Sequence, residues 1–129
     1  MALAMMSYLA RQGRSIWMNA DLIAAMWYGE RVADGTLTAA TLVGMATHFI
    51  TSALMGIVAV PFISGLPRWK LLLNSLSYAV ASYPLVFATI MIWADPIMFR
   101  NAAMLPMTVM HAIFGIAFGL LYSTLEPAT

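Results

Sequence analysis

The two histidines, His48 and His111, are the side chains best suited to chemistry, because each lies within a long uncharged segment. Imidazole is a common metal ligand. Two neutral imidazoles on facing helices at one depth are also the arrangement that a b-type haem needs. The chain has no cysteine, so disulfides, thiolate metal sites and iron–sulfur clusters are excluded.

Each histidine belongs to a row of residues spaced four apart, and this spacing places the members of a row on one face of a helix. The first row is Gly44, His48, Ser52 and Gly56, and the second is Met107, His111, Gly115 and Gly119. The two rows align with each other, which suggests a parallel pseudo-repeat with both histidines at a similar depth. Each helix is therefore expected to present a stripe of small residues that contains a histidine.

Three interpretations of these rows remain open. Small residues at this spacing are typical of close helix packing in membranes, where the histidines would bond to neighbours such as Thr47, Ser52 or Thr108. Alternatively, His48 and His111 ligate a b-type haem, and the small residues make room for its ring. A third possibility is a copper site in which the histidines act together with Met45, Met107 or Met110. The remaining methionines are expected to face lipid or fill gaps.

A polar face between the two histidine segments is formed by Asn74, Tyr78 and Ser82. Such side chains commonly make hydrogen bonds between helices, each worth about 0.6 kcal/mol in membranes. The alternative is the lining of a polar path for a transported species. The segment contains no acid or base, whereas ion-coupled carriers normally keep a carboxylate at membrane depth.

These candidate residues must be positioned by helices that cross a membrane. Three segments carry no charge, residues 35–67, 71–94 and 101–125, and a spanning helix needs about 20 mostly apolar residues. Only 9% of the chain is charged, against roughly a quarter in soluble domains. We predict an all-α polytopic bundle, a single membrane domain over residues 1–129, with spans at 37–63, 71–93 and 102–125. Pro84 is expected to kink the second span.

The first thirty residues are less uniform. Residues 1–10 are apolar but too short to span, and they are expected to be the second half of a spanning helix that starts upstream. Residues 15–29 carry the interfacial residues Trp17, Trp27 and Tyr28, and they favour a helix that lies in the membrane surface. Asp21 is expected on its solvated face, or else paired with Arg14 or with a partner subunit.

The basic residues predict the orientation. Arg68 and Lys70 lie in the short turn 64–70, which should therefore be cytoplasmic together with the C-terminus. The linkers around Asp34 and Asp95 then face outward. Trp69 and Trp93, at the ends of the second span, are expected to anchor it at the two interfaces.

Several functions are excluded by what the sequence lacks. It contains no P-loop, HExxH, GxSxG or GxGxxG motif, so we do not expect an enzyme with its own catalytic site. Its net charge of +1 and the lack of a basic patch exclude nucleic acid as a partner.

Several short motifs also carry a family resemblance: Arg14-Ser-Ile-Trp17-Met-Asn19, Leu22-Ile-Ala-Ala25, His48 with Gly56, Leu66-Pro67, Asp95-Pro96-Ile-Met98 and His111-Ala-Ile-Phe-Gly115. With these motifs the chain resembles a family of small, mostly uncharacterised bacterial four-helix integral membrane proteins. The resemblance implies four spans with the first truncated here, an interfacial helix after it, and a place in the bacterial inner membrane. It also implies an association with respiratory or other redox membrane complexes.

Our leading functional expectation is therefore a non-catalytic accessory subunit of a larger membrane-bound redox complex. Its partners would be membrane lipid and the transmembrane subunits of that complex. The alternatives are a haem b electron-transfer protein that uses His48 and His111, and a small carrier or channel that uses the polar face.

Overall fold

The computed structural model describes residues 2–101 and 103–125, and these residues are helical with no strand. Five helices have seven residues or more: α1 (Ala2–Arg11), α2 (Met18–Tyr28), α3 (Ala39–Ile63), α4 (Arg68–Val86) and α7 (Met104–Leu125). A π-helical segment (Phe87–Met91) and the short α5 (Ile92–Ala94) continue α4. The turn-sized α6 (Pro96–Asn101) precedes α7.

Three helices in the described residues are long and apolar enough to cross a membrane: Ala39–Ile63, Arg68–Ala94 and Met104–Leu125. The all-α fold class is thereby confirmed, and the composition of these helices indicates a multi-pass membrane protein. The ends of the three helices lie within three residues of the predicted spans. Ala102, the predicted start of the third span, lies outside the described residues, as do Met1 and residues 126–129.

Helix α2 packs lengthwise along the first half of α3. Three side-chain hydrogen bonds join residues twenty positions apart: Ser15 to Gly35, Asp21 to Thr41, and Trp27 to Thr47. A constant offset of this kind means that the two helices run side by side in the same direction. The sequence instead favours a helix in the membrane surface; the difference arises because α2 buries residues 21–25 against its neighbours.

Asp21 is fully buried in this contact, which corrects the expectation of a solvated residue. The Thr41 hydroxyl donates to Asp21 Oδ1 at 2.6 Å, and it accepts the N–H of Thr38 at 2.9 Å. Asp21 Oδ2 is buried and has no hydrogen-bond partner among the described residues. The first turn of α3 is thereby tied to α2 rather than to solvent.

Helices α4 and α7 form a second close pair through the glycines of α7. A Cβ on Gly115 would lie 2.7 Å from the backbone oxygen of Ser75, and one on Gly119 would lie 2.9 Å from the Ser75 hydroxyl. Only a residue without a Cβ allows this approach. The GxxxG of α7 therefore packs on α4, as close packing of small residues predicts, but its partner is α4 and not α3.

The two pairs are joined near the turn of residues 64–67, which we call the turn end of the bundle. There Asn74 Nδ2 donates to the carbonyl of Phe62 at 3.2 Å, and Tyr78 Oη donates to the carbonyl of Met55 at 3.2 Å. Ser64 and Tyr122 share a hydroxyl–hydroxyl hydrogen bond of 2.9 Å. Asn74 and Tyr78 thus make the interhelical bonds expected from the packing interpretation of the polar face.

The ends of α4 differ in detail from the expectation. The turn is shorter than predicted: Gly65 adopts φ +69°, Pro67 precedes the helix, and Arg68 and Lys70 already lie in its first turn. At the other end, Pro84 lacks the N–H that would bond one turn back, and the π-helical segment follows three residues later. Trp93 is 86% exposed beside that end, as suits an interfacial anchor.

We predict that Gly44→Ala separates α2 from α3. A Cβ at this position would collide with the carbonyl oxygen of Ala20, and backbone can yield only if the helices move apart. We expect a loss of about 1–3 kcal/mol in unfolding free energy, measured by denaturant titration in detergent.

The matched control is Gly56→Ala, whose Cβ would lie 3.4 Å from the ring of Phe118, an ordinary contact. We expect this variant to unfold like the wild type or at slightly higher denaturant. Equal destabilisation by the two substitutions would contradict the close α2–α3 contact.

Candidate functional site

A cavity of about 220 Å³ lies between the α2–α3 pair and the α4–α7 pair, and we call it the main cavity. Most of its lining comes from α2, α3, α4 with the π-helical segment, and α7, with single residues from α1 and α6, and it includes both His48 and His111. The cavity is mostly apolar with a few polar groups, which is the character of small-molecule and cofactor sites. The structure therefore brings the two candidate ligands to one space.

The ring of His111 is held in a defined orientation. Its Nδ1 lies 2.8 Å from the carbonyl oxygen of Met107, one turn earlier on α7, and its ring stacks on Tyr83 with centroids 4.4 Å apart. A carbonyl acceptor places the proton on Nδ1, which leaves the lone pair of Nε2 free. Metal-ligating histidines are oriented by the same type of bond.

His48 lines the same cavity from α3 and is half-buried. Within the described part of the chain its ring makes no hydrogen bond; its ring contact is a tilted one with Phe49. The packing interpretation expects the histidines to bond to residues such as Thr47 and Thr108, but these two hydroxyls have other partners. Thr47 accepts from Trp27, and Thr108 donates to the carbonyl of Met104. His48 thus has an imidazole that is available to a ligand.

The two small-residue rows do not pack on each other. Gly44 faces α2, Gly56 meets the ring of Phe118, and Gly115 and Gly119 face α4. Among the small residues of these two rows, only Ser52 lines the main cavity. Gly44, Gly115 and Gly119 therefore serve the two helix pairs, whereas Gly56 on α3 meets α7. The histidines on the same rows face the space that the pairs leave between them.

Methionine dominates the lining of the main cavity, a feature that sequence reasoning missed. Eight of the twelve methionines line it: Met6, Met26, Met45, Met55, Met91, Met98, Met107 and Met110. No leucine among the described side chains does so. One feature of the sequence could have indicated it. Met45 lies three residues before His48 and Met107 lies four before His111, so each methionine shares a helix face with a histidine.

Of the predicted polar face, Tyr78 and Ser82 line the main cavity, whereas Asn74 lies nearer the turn end. Ser82 donates to the carbonyl of Ala79 in its own helix at 3.3 Å. The hydroxyl of Tyr78 donates to the carbonyl oxygen of Met55 on α3. The described contacts of this face are helix-to-helix or within one helix, so no continuous polar path follows from them.

Asp95 borders the main cavity at the end opposite to the turn end, and it is 2% exposed. Its Oδ1 accepts the N–H of Met98 at 2.9 Å, so it caps α6, with Pro96 in the first helical position. Burial raises the pKa of Asp95, and the hydrogen bonds from the backbone N–H groups of Met98 and Ile97 oppose this rise.

A second cavity, of about 160 Å³, adjoins the main one, since Asn19 and Met107 line both. A larger share of its lining is polar, including Arg14, Gln12 and Asn101. Within the described residues no cluster of three His, Asp or Glu side chains is arranged to hold a metal ion. A metal in the main cavity would therefore need donors of other types beside any of these side chains.

Comparisons with protein-family models, with curated proteins and with solved structures find no match to this chain. The family resemblance of its short motifs stays a prediction.

We predict that Asp95 makes the protein less stable as pH rises. Because its folded pKa is raised above the ordinary value of 3.8, its favourable contribution is full below that value and is lost through the folded pKa. Asp95→Asn keeps a capping side chain without the charge. We expect its melting temperature, relative to wild type, to increase between pH 3.5 and pH 7.

Asp34→Asn is the control of opposite sign. The hydroxyl and N–H of Thr36 lower the pKa of Asp34, which is exposed. Its contribution is present above 3.8 and is lost as pH falls through the folded pKa. Relative to wild type, this variant should lose stability as pH rises. Parallel pH profiles for the wild type and Asp95→Asn would refute the effect of burial.

Proposed function

We propose that the protein holds a metal centre inside the membrane, with His48 and His111 as its ligands. The observation that carries this proposal is that two imidazoles, from α3 and α7, line one mostly apolar cavity. One of them has its Nδ1 engaged by the Met107 carbonyl, and the other has no hydrogen bond within the described residues. Neutral imidazole is the form that binds metals.

A b-type haem is one form of this centre that the sequence leaves open, and the lining is compatible with one. The two imidazoles would hold the iron, and the aromatic and aliphatic side chains would surround an apolar ring. The carboxylates of a haem need polar partners, and Arg14 with Asn19 lines the adjoining cavity. A bound haem would supply one-electron chemistry, while this chain would supply the two ligands, the exclusion of water and a counter-charge.

The accessory role in a redox complex remains our prediction for the biological setting of this centre. Its support is the size of the chain, the family resemblance, and large apolar side chains exposed on α3, among them Leu54, Ile57 and Phe62. Lipid or another transmembrane helix would cover such a surface equally well. The carrier or channel is less favoured, because the polar face is engaged in hydrogen bonds between and within helices.

The test is spectroscopic. The chain is purified in mild detergent from cells supplied with iron, copper and haem precursor, and a reduced-minus-oxidised spectrum and an elemental analysis are recorded. We expect a bound metal centre in the wild type and its loss in both His48→Ala and His111→Ala.

Thr108→Val is the matched control, because this residue lies on α7 outside the cavity lining and bonds only within its own helix. It should retain the centre in full. A wild-type protein that is folded yet holds neither haem nor metal, even after incubation with each, would refute the proposal.

A further inference from the structure

We infer that the metal of the main cavity is Cu(I), held by imidazole and thioether ligands. This inference rests on the proposed function, because it uses the same two histidines, and it adds the identity of the ion. Its basis is the bias of the lining towards methionine. Eight of the twelve methionines face the main cavity, whereas no described leucine side chain does.

This bias is chemical rather than steric. Leucine and methionine are similar in volume and exchange at low cost in apolar cores, so a cavity that needed only apolar bulk would use both. The leucines of the chain lie elsewhere: Leu9, Leu22 and Leu71 are buried in other contacts, and Leu54, Leu85 and Leu105 are exposed. What methionine adds is a polarisable sulfur atom, a soft donor that selects Cu(I) among biological metals.

The donor set can be named from helix spacing and cavity lining. Met45 and His48 share a face of α3, and Met107 and His111 share a face of α7; all four residues line the main cavity. The carbonyl of Met107 also orients the His111 ring, so the backbone beside the second thioether fixes the second imidazole. Two imidazoles and two thioethers form a neutral N₂S₂ set.

Charge favours a monovalent ion in this set. The ligands are uncharged, so a bound Cu(I) would add a single positive charge to an apolar interior, which costs less than a divalent ion would. The one carboxylate in the lining, that of Asp95, is occupied in capping α6. Hard cations such as Ca²⁺ and Mg²⁺ need several oxygen ligands, which this lining does not supply.

The experiment is an anaerobic competition between the purified apoprotein and a chromophoric Cu(I) chelator, read by absorbance. We expect one Cu(I) per chain. His48→Ala and His111→Ala should abolish the binding. The double variant Met45→Leu/Met107→Leu preserves volume, and we expect it to weaken binding by at least tenfold, since removing even the groups that orient metal ligands costs about 10- to 100-fold.

Met18→Leu is the control, because Met18 is half-buried on α2 and lines the adjoining cavity but not the main cavity. Its affinity for Cu(I) should equal that of the wild type. Circular dichroism and gel filtration of every variant establish that each is folded, and Cu(I) affinity is compared only among folded variants.

The outcomes separate this inference from the proposed function. A haem or other metal that is lost in the histidine variants, together with no Cu(I) binding, would overturn the copper assignment and leave the metal centre standing. An unchanged Cu(I) affinity in Met45→Leu/Met107→Leu would mean that the methionines are only adaptable packing, and would overturn the inference. Cu(I) binding that survives the removal of each histidine would overturn both.

Discussion

The bundle depends on two close helix contacts that leave no room for a Cβ. Gly44 brings α3 against the backbone of α2, and Gly115 with Gly119 brings α7 against α4. In an apolar solvent there is little hydrophobic force between helices, so such contacts supply much of the dispersion energy of assembly. Each contact occupies one side of a helix that carries a histidine. The two pairs therefore do not pack against each other along their whole length.

The main cavity follows from this arrangement. At the turn end the pairs are joined by Asn74 and Tyr78, which donate to backbone carbonyls of α3. Away from the turn end, α3 packs on α2 instead, and the space between the pairs remains. His48 and His111 lie along that space, four residues away from a packing glycine in each helix. The same helix faces therefore carry both the packing glycines and the candidate ligands.

Much of the fold could be predicted from the sequence because the membrane restricts it so strongly. Long uncharged segments must be helices, and the three long helices end within three residues of the predicted spans. The identity of neighbours could not be predicted, since a glycine stripe says that a helix packs closely but not on which partner. The burial of Asp21 was missed for a similar reason: its partner Thr41 lies in another helix, twenty residues away.

The candidate site, like the fold, could be predicted only where it depends on residues close together in the sequence. The histidines stood out because each is a rare polar group in an apolar segment, and helix spacing predicted a similar depth for both. Three methionines, Met45, Met107 and Met110, were named as copper ligands, but the group as a whole did not stand out. Only the tertiary arrangement gathers eight of the twelve around one cavity. A thioether in an apolar segment looks like ordinary core packing until its neighbours are known. Only the structure shows that methionines rather than leucines line the main cavity. For that reason it points to copper, which the sequence leaves as one alternative among three.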